Sequence, residues 1–157
     1  MYSEVGKQYK VVRYSNFTEN QTIQFDKKGK PLYSESSFTK HISENRNLDI
    51  CVADYSASAV VVVNKAGNLR FRYTGHSSII KKKLFKPWGI TTDSQCHILS
   101  ADFYNNCIRI LDQNGQFLRY IDNCELNEPT VLCVDKSDNL FVAEDGSGNL
   151  KEIRYVR

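Results

Sequence analysis

The sequence predicts an all-β fold, a partial β-propeller built from four-stranded antiparallel blades. Three observations carry this. The segment 87–102 lies over 129–144 at a constant shift of 42 without a gap, setting Pro87, Asp93, Ala101 and Asp102 over Pro129, Asp135, Ala143 and Glu144. An earlier copy, 41–54, fits the middle one at a shift of 48, the six extra residues falling in a longer connection after Tyr73. Each unit also holds four short runs rich in Val, Ile, Phe and Tyr, parted by turn-forming Asp, Asn and Gly, which is the pattern of an antiparallel meander. Four strands in every 40 to 50 residues make the blade of a propeller, whose twisted sheets bury their faces against one another.

The elements follow unit by unit. The middle unit, 87–128, places strands over 89–92, 98–101, 107–111 and 116–121. Its last turn carries Gly115 where a hairpin needs a positive φ, and Gly67 and Gly29 recur at the equivalent place. The preceding unit, 41–86, repeats this order, since 59–69 matches 107–117, and it ends in a long basic connection. The last unit, 129–157, reaches a third strand near 150–153 and lacks a fourth. Before them, 1–40 reads as an N-terminal partial blade and connection, with strands near 9–13, 21–26 and 31–36. Two blades are therefore complete and two incomplete. A β-sandwich of similar short strands is the rival architecture; the in-register repeat favours the propeller. Propellers close with roughly four to eight blades, so the chain is expected to be part of a larger ring. Its open strand edges would call for further blades of the same protein or a partner chain.

Composition narrows the class without naming a function. The chain has 157 residues, 41% hydrophobic, with 21 basic and 18 acidic side chains and a formal charge of +3. These values favour neither disorder nor a membrane class, and the charge alone does not argue for nucleic acid. The polar stretch 1–10 lacks the apolar core of a secretory signal, and the longest apolar run, 57–63, falls far short of the roughly 20 residues that span a bilayer. Cys51, Cys96, Cys107, Cys124 and Cys133 are odd in number, widely spaced and free of any Cys-x-x-Cys pair. They read as reduced, buried thiols of a cytoplasmic protein.

The combination Pro-x-Gly-Ile-x-x-Asp, then aliphatic-x-x-Ala-Asp, then Asn-x-x-Ile-x-Ile-Leu-Asp-x-x-Gly-x-Phe, at 87–117, resembles the NHL repeat. The wording of 49–54, 60–64 and 112–118 is similar to the C-terminal propellers of tripartite-motif proteins. That resemblance implies a propeller that recruits protein substrates or adaptors to a RING-type ubiquitin ligase, with RNA as the ligand of some members. The zinc modules and coiled-coil heptads of that family have no counterpart in this sequence. Any transferase activity is accordingly expected of other segments, and this chain is expected to bind without catalysis.

Meander geometry then nominates a binding face. The second-to-third turns share one rim with the connections between blades, because successive strands alternate in direction. That rim collects the turn at Tyr55, the turn holding Phe103, Tyr104 and Asn105, and the connection with Lys81, Lys82, Lys83 and Lys86. Aromatic rings beside cations suit an acidic peptide or RNA, since rings stack and cations neutralise phosphate. Two readings stand for these residues: the lysines are a solvated run or a site, and Tyr55 and Phe103 close their turns or form a platform. Phe85 and Trp88, flanking Pro87, are expected to pack blade against blade.

No catalytic residue, metal ligand or cofactor is expected. The acid repeated at Asp54, Asp102 and Glu144 is better explained by structure, accepting hydrogen bonds from the backbone N–H groups of the turn that follows. His41, His76 and His97 occupy unequal places in the repeat. Cys51 and Cys133 lie in apolar strand patterns and read as core, and Cys96 and His97, adjacent on a strand, would point to opposite faces.

Overall fold

The computed structural model describes residues 7–75, 81 and 83–155. Among the described residues, thirteen strands form four antiparallel sheets, stacked in chain order. The first is a hairpin of β1 (Val11–Ser15) and β2 (Thr18–Ile23). The second runs β3 (His41–Glu44), β4 (Ile50–Asp54), β5 (Ala59–Val63) and β6 (Leu69–Tyr73). The third runs β7 (Pro87–Thr92), β8 (Ile98–Asp102), β9 (Cys107–Leu111) and β10 (Phe117–Ile121). The last holds β11 (Pro129–Val134), β12 (Leu140–Glu144) and β13 (Leu150–Ile153). Every pairing joins neighbours in sequence, as a meander requires, and the architecture is that of a partial propeller.

The first unit departs from its expected strands. The segment expected at 31–36 contributes only an isolated bridge, Phe25 to Pro31, because the turn at Asp26 brings the chain back for one residue before it leaves towards β3. The Leu32 N–H still bonds the Gln24 carbonyl, but Leu32 and Tyr33 are drawn into the layer against the second sheet and the pairing goes no further.

Apolar residues on the two faces of each central strand build three separate layers between blades. Ile23, Leu32 and Tyr33 pack on Ile50, Val52 and Val61. Cys51, Ala53, Val60 and Val62 pack on Ile90, Ile98 and Leu111. Leu99, Ala101, Ile108 and Ile110 pack on Leu132, Leu140 and Val142. Strands β4, β5, β8 and β9 are buried on both faces, which is why they read as unbroken aliphatic runs rather than as alternation.

The innermost strands β3, β7 and β11 lie side by side. A Cβ at Gly89 would sit 2.0 Å from the carbonyl oxygen of Thr130 on β11. The Pro-x-Gly step is thus fixed by the close approach of two inner strands. At the outer turns, Asp26, Asp112 and Asp135 each use Oδ1 to accept the backbone N–H groups two and four residues on, closing the turn before the next strand. Gly29, Gly67 and Gly115 take the positive φ expected of them, at 76°, 87° and 84°.

Cys51 and Cys107 are buried thiols, and burial pushes each up to about 12. Cys133 is exposed, against the expectation of a core residue. It lies on the side of β11 that no later sheet covers among the described residues, so an apolar strand pattern at the end of the stack does not translate into burial. Cys96 and Cys124 are half-buried.

Candidate functional site

The rim that joins second-to-third turns with the connections between blades is held together by the repeated carboxylates. Asp54, Asp102 and Glu144 end β4, β8 and β12 and are buried. Each accepts a backbone N–H from the connection entering its own blade: Ser34 at 2.7 Å, Lys86 at 3.4 Å and Asn127 at 3.1 Å. Each also meets one cation, Lys40 Nζ at 3.1 Å, Arg109 Nε at 2.8 Å and Lys151 Nζ at 2.9 Å. The following turn donates too, but only Ala57 does so through its backbone; Asn105 and Ser147 use their side chains. The acid is therefore a clamp between the incoming connection and the turn, wider in reach than the turn cap expected from sequence. A buried carboxylate with a cation and several donors is an assembled structural unit.

Arg109 is the functional neighbour that the sequence reading missed. Its guanidinium is buried between blades, donates from Nη1 to the Tyr73 hydroxyl at 3.0 Å, and stacks 4.7 Å from the Phe85 ring and 5.2 Å from that of Tyr120. The signal was available: Arg109 and Lys151 stand at the same repeat position, 42 residues apart.

On this frame sits a continuous run of aromatic rings contributed by four segments. The Phe38 and Tyr55 centroids are 5.0 Å apart, Tyr55 meets Trp88 edge-on at 5.2 Å, Trp88 stacks on Phe103 at 5.3 Å, and Phe103 meets Tyr104 edge-on at 5.1 Å. The Tyr55 and Tyr104 hydroxyls close the run at 3.0 Å, and this hydrogen bond, with burial, pushes the Tyr55 phenol up to about 12. Phe38 and Tyr104 remain 49% and 42% exposed. His41 lies 6.3 Å from Trp88, its imidazole held below its usual range by burial. Tyr55 and Phe103 thus both close their turns and contribute to one aromatic surface. Phe85 is buried against Tyr73, as expected of a blade contact, whereas Trp88 faces both the core and the rim.

The lysines lie less uniformly on this rim than their spacing implies. Lys81 bonds Asp122 at 2.9 Å and sits 4.7 Å from the Tyr120 ring. Lys86 donates to the Tyr55 carbonyl at 3.2 Å and stands over the Tyr55 ring at 4.9 Å. Lys83 is exposed, its backbone exchanging two hydrogen bonds with the Asn105 side chain. Lys82 and His76 lie outside the described residues. Asn105 also donates to Asp102, so it fastens the connection and presents little of itself to a ligand. Among the described residues, no three His, Cys, Asp or Glu side chains converge as a metal site.

No family model matches the sequence, and no curated protein matches it. Among solved structures, virginiamycin B lyase from Staphylococcus aureus is similar at a TM-score of 0.67 with 12% identity, over 93% of this chain and 48% of that one. A streptogramin B lyase is similar at 0.59 with 18% identity, over 96% of this chain and 51% of that one. The WD40 β-propeller domain of Doa1 is similar at 0.61 with 12% identity, over 91% and 43%. The chain thus spans about half the length of these proteins. At such identities the likeness is one of architecture, and the architecture is the β-propeller.

Proposed function

We propose that this chain is a non-catalytic recognition module that binds a protein partner through its aromatic rim, serving as the substrate- or adaptor-binding propeller of a tripartite-motif ubiquitin ligase. The run from Phe38 through Tyr55, Trp88 and Phe103 to Tyr104 carries the reading. Its rings are pre-organised by mutual packing, and its two ends are exposed, which suits an apolar or aromatic anchor on a partner protein. The wording of 49–54, 60–64 and 112–118 supports the placement among tripartite-motif propellers.

RNA is the second reading. Exposed Lys83 beside the Tyr104 turn favours it, since a ring and a cation side by side suit a stacked base and its phosphate. The commitment of Lys81 to Asp122 and of Lys86 to Tyr55 weighs towards protein. Photocrosslinking from position 104 in a lysate, followed by identification of what is captured, tests the choice. Protein partners lost on combining Phe38→Ser with Tyr104→Ser support the proposal. Recovery of RNA alone, with binding that falls steeply as salt rises, overturns it.

A further inference from the structure

Charge divides unevenly along the chain. Residues 1–86 hold 15 Lys and Arg against 7 Asp and Glu, whereas residues 87–157 hold 6 against 11. Part of the basic excess gathers on the rim opposite the aromatic run, where first-to-second and third-to-fourth turns meet. The turn 45–49 between β3 and β4 and the turn 64–68 between β5 and β6 belong to that rim by the meander. Two segments of the first unit join them there. Near the tip of the β1–β2 hairpin, Arg13 Nη2 pairs with Glu44 at 3.1 Å and donates to the Leu48 carbonyl at 3.5 Å, and Gln21 Nε2 donates to the Lys65 carbonyl at 3.2 Å. The turn 26–30 shares an open cleft of about 350 Å³ with Asn68 and Leu69, lined by Lys27, Lys28 and Lys30.

Five cations at this end, Lys27, Lys28, Lys30, Arg46 and Lys65, are exposed and form no ion pair among the described residues. The carboxylates beside them are engaged: Glu44 with Arg13, Asp49 with Arg70, and Asp26 with the N–H groups of Lys28 and Lys30, while Glu19 accepts from the Thr22 hydroxyl. The turns do not demand these cations, since the matching turns of the third sheet hold Gln113, Asn114, Gln116 and Ser94. Two apolar side chains stand at the same end. Leu48 is 39% exposed, and Phe17, at the hairpin tip, is fully exposed at 102%. Phe17 takes a φ of 64°, a left-handed conformation that Gly or Asn adopts more readily than a ring-bearing residue. Its ring gains nothing from folding in that position.

We infer that this end of the molecule docks on an anionic lipid bilayer, with the five cations against the headgroup charges and Phe17 in the headgroup layer. Cations spread over three turns match a field of charge rather than a single ligand, and an exposed ring beside them is the second element of an interfacial anchor. RNA would call for rings set between the cations, so that bases stack while phosphates are neutralised. Here the ring stands at the hairpin tip and the cations on other turns. Docked in this way, the molecule turns its aromatic rim away from the bilayer and leaves it open to a protein partner.

Cosedimentation of the intact protein with phosphatidylcholine vesicles containing about 30% phosphatidylserine, against phosphatidylcholine alone, tests the inference. Binding only to the anionic vesicles is expected, falling steeply as salt shortens the range of the field. Each lysine contributes roughly fivefold in affinity, so combining Lys27→Gln with Lys28→Gln should weaken binding about 25-fold, and Phe17→Ser about tenfold. These variants should keep the unfolding midpoint, because all three side chains are exposed. Phe38→Ser with Tyr104→Ser, on the opposite rim, should bind vesicles as the unaltered protein does, so this proposal and the aromatic-rim reading fail separately. Equal binding to the two kinds of vesicle, or none to either, overturns the inference. So does binding to anionic vesicles that Phe17→Ser and the lysine pair leave unchanged, and so does tighter binding of polyuridylic acid, which would make this a surface for RNA.

Discussion

Replacing Asp102 by Leu should be among the most damaging single changes in the chain. Asp102 is fully buried and accepts from the Lys86 N–H, the Asn105 side chain and Arg109 Nε. Without it, the Arg109 guanidinium stays between the blades with only the Tyr73 hydroxyl and two ring faces for company. Removing one partner of a buried ion pair costs about 3–5 kcal/mol. With a urea dependence near 2 kcal/mol per molar, the unfolding midpoint should fall by about 1.5–2.5 M. Adding Arg109→Met to Asp102→Leu should recover much of the loss, since two apolar groups need no counter-charge, with a coupling energy of about 2 kcal/mol. The recovery stays incomplete, because the Lys86 and Asn105 donors remain orphaned at about 1 kcal/mol or more each. A single substitution costing under about 1 kcal/mol, or a double variant no better than the sum of its parts, would refute the clamp as the unit that joins connection, turn and strand.

Other predictions read other parts of the frame. Gly89→Ala should lower the unfolding midpoint by an amount matching roughly 1–3 kcal/mol or more, because the new Cβ meets the Thr130 carbonyl at 2.0 Å; an unchanged midpoint would mean that β7 and β11 part easily. Burial holds His41 below its ordinary value, so the stability gained from its neutral form is full above about pH 6.5 and is lost as pH falls through the lower folded value. Trp88, the one tryptophan, reports this directly: its fluorescence should change in that lower window, and His41→Gln should remove the step. The Asn139 side chain and its N–H hold the Asp135 carboxyl low, as the Lys30 N–H does for Asp26. Stability from both is full above about pH 3.9 and lost as pH falls through their folded values. Asn139→Ala should raise the Asp135 midpoint seen by NMR and leave that of Asp26 in place.

The blades were legible because their signal is local. Aspartate, two residues, then Gly or Asp closes a turn wherever it occurs, and Val60 to Val62 or Ile108 to Ile110 can only be strands buried on both sides. The repeat then set the order of sheets, since each unit faces the next in the same way. What stayed illegible in the first unit is the third strand. Pro31 makes a single bridge there, and nothing in its neighbours' polarity distinguishes a bridge from a strand. Cys133 shows the reverse case: its strand pattern is that of a core residue, and its exposure depends on whether another sheet follows.

The rim illustrates why a binding face is harder to read than a fold. Four lysines in one connection look like a field of positive charge, yet their effect depends on partners set far away in sequence, such as Asp122, 41 residues from Lys81. The same holds for the rings. Phe38 was not singled out, because it belongs to the connection before β3 and has no counterpart in the repeat; only the fold brings it to 5.0 Å from Tyr55. The repeat therefore identifies what must be alike in every blade, the carboxylate clamp, and recognition falls to what differs between blades. Phe38, Trp88 and Tyr104 are such differences: Trp88 stands where Lys40 and Thr130 stand, Tyr104 where Ser56 and Gly146 stand, and Phe38 in a connection without a counterpart. A propeller can in this way keep one packing rule for its sheets while each rim acquires its own surface; substitutions at the exposed rings Phe38 and Tyr104 should change partner capture while leaving the unfolding midpoint close to that of the unaltered chain, whereas Trp88, which also packs on the core, should lower both.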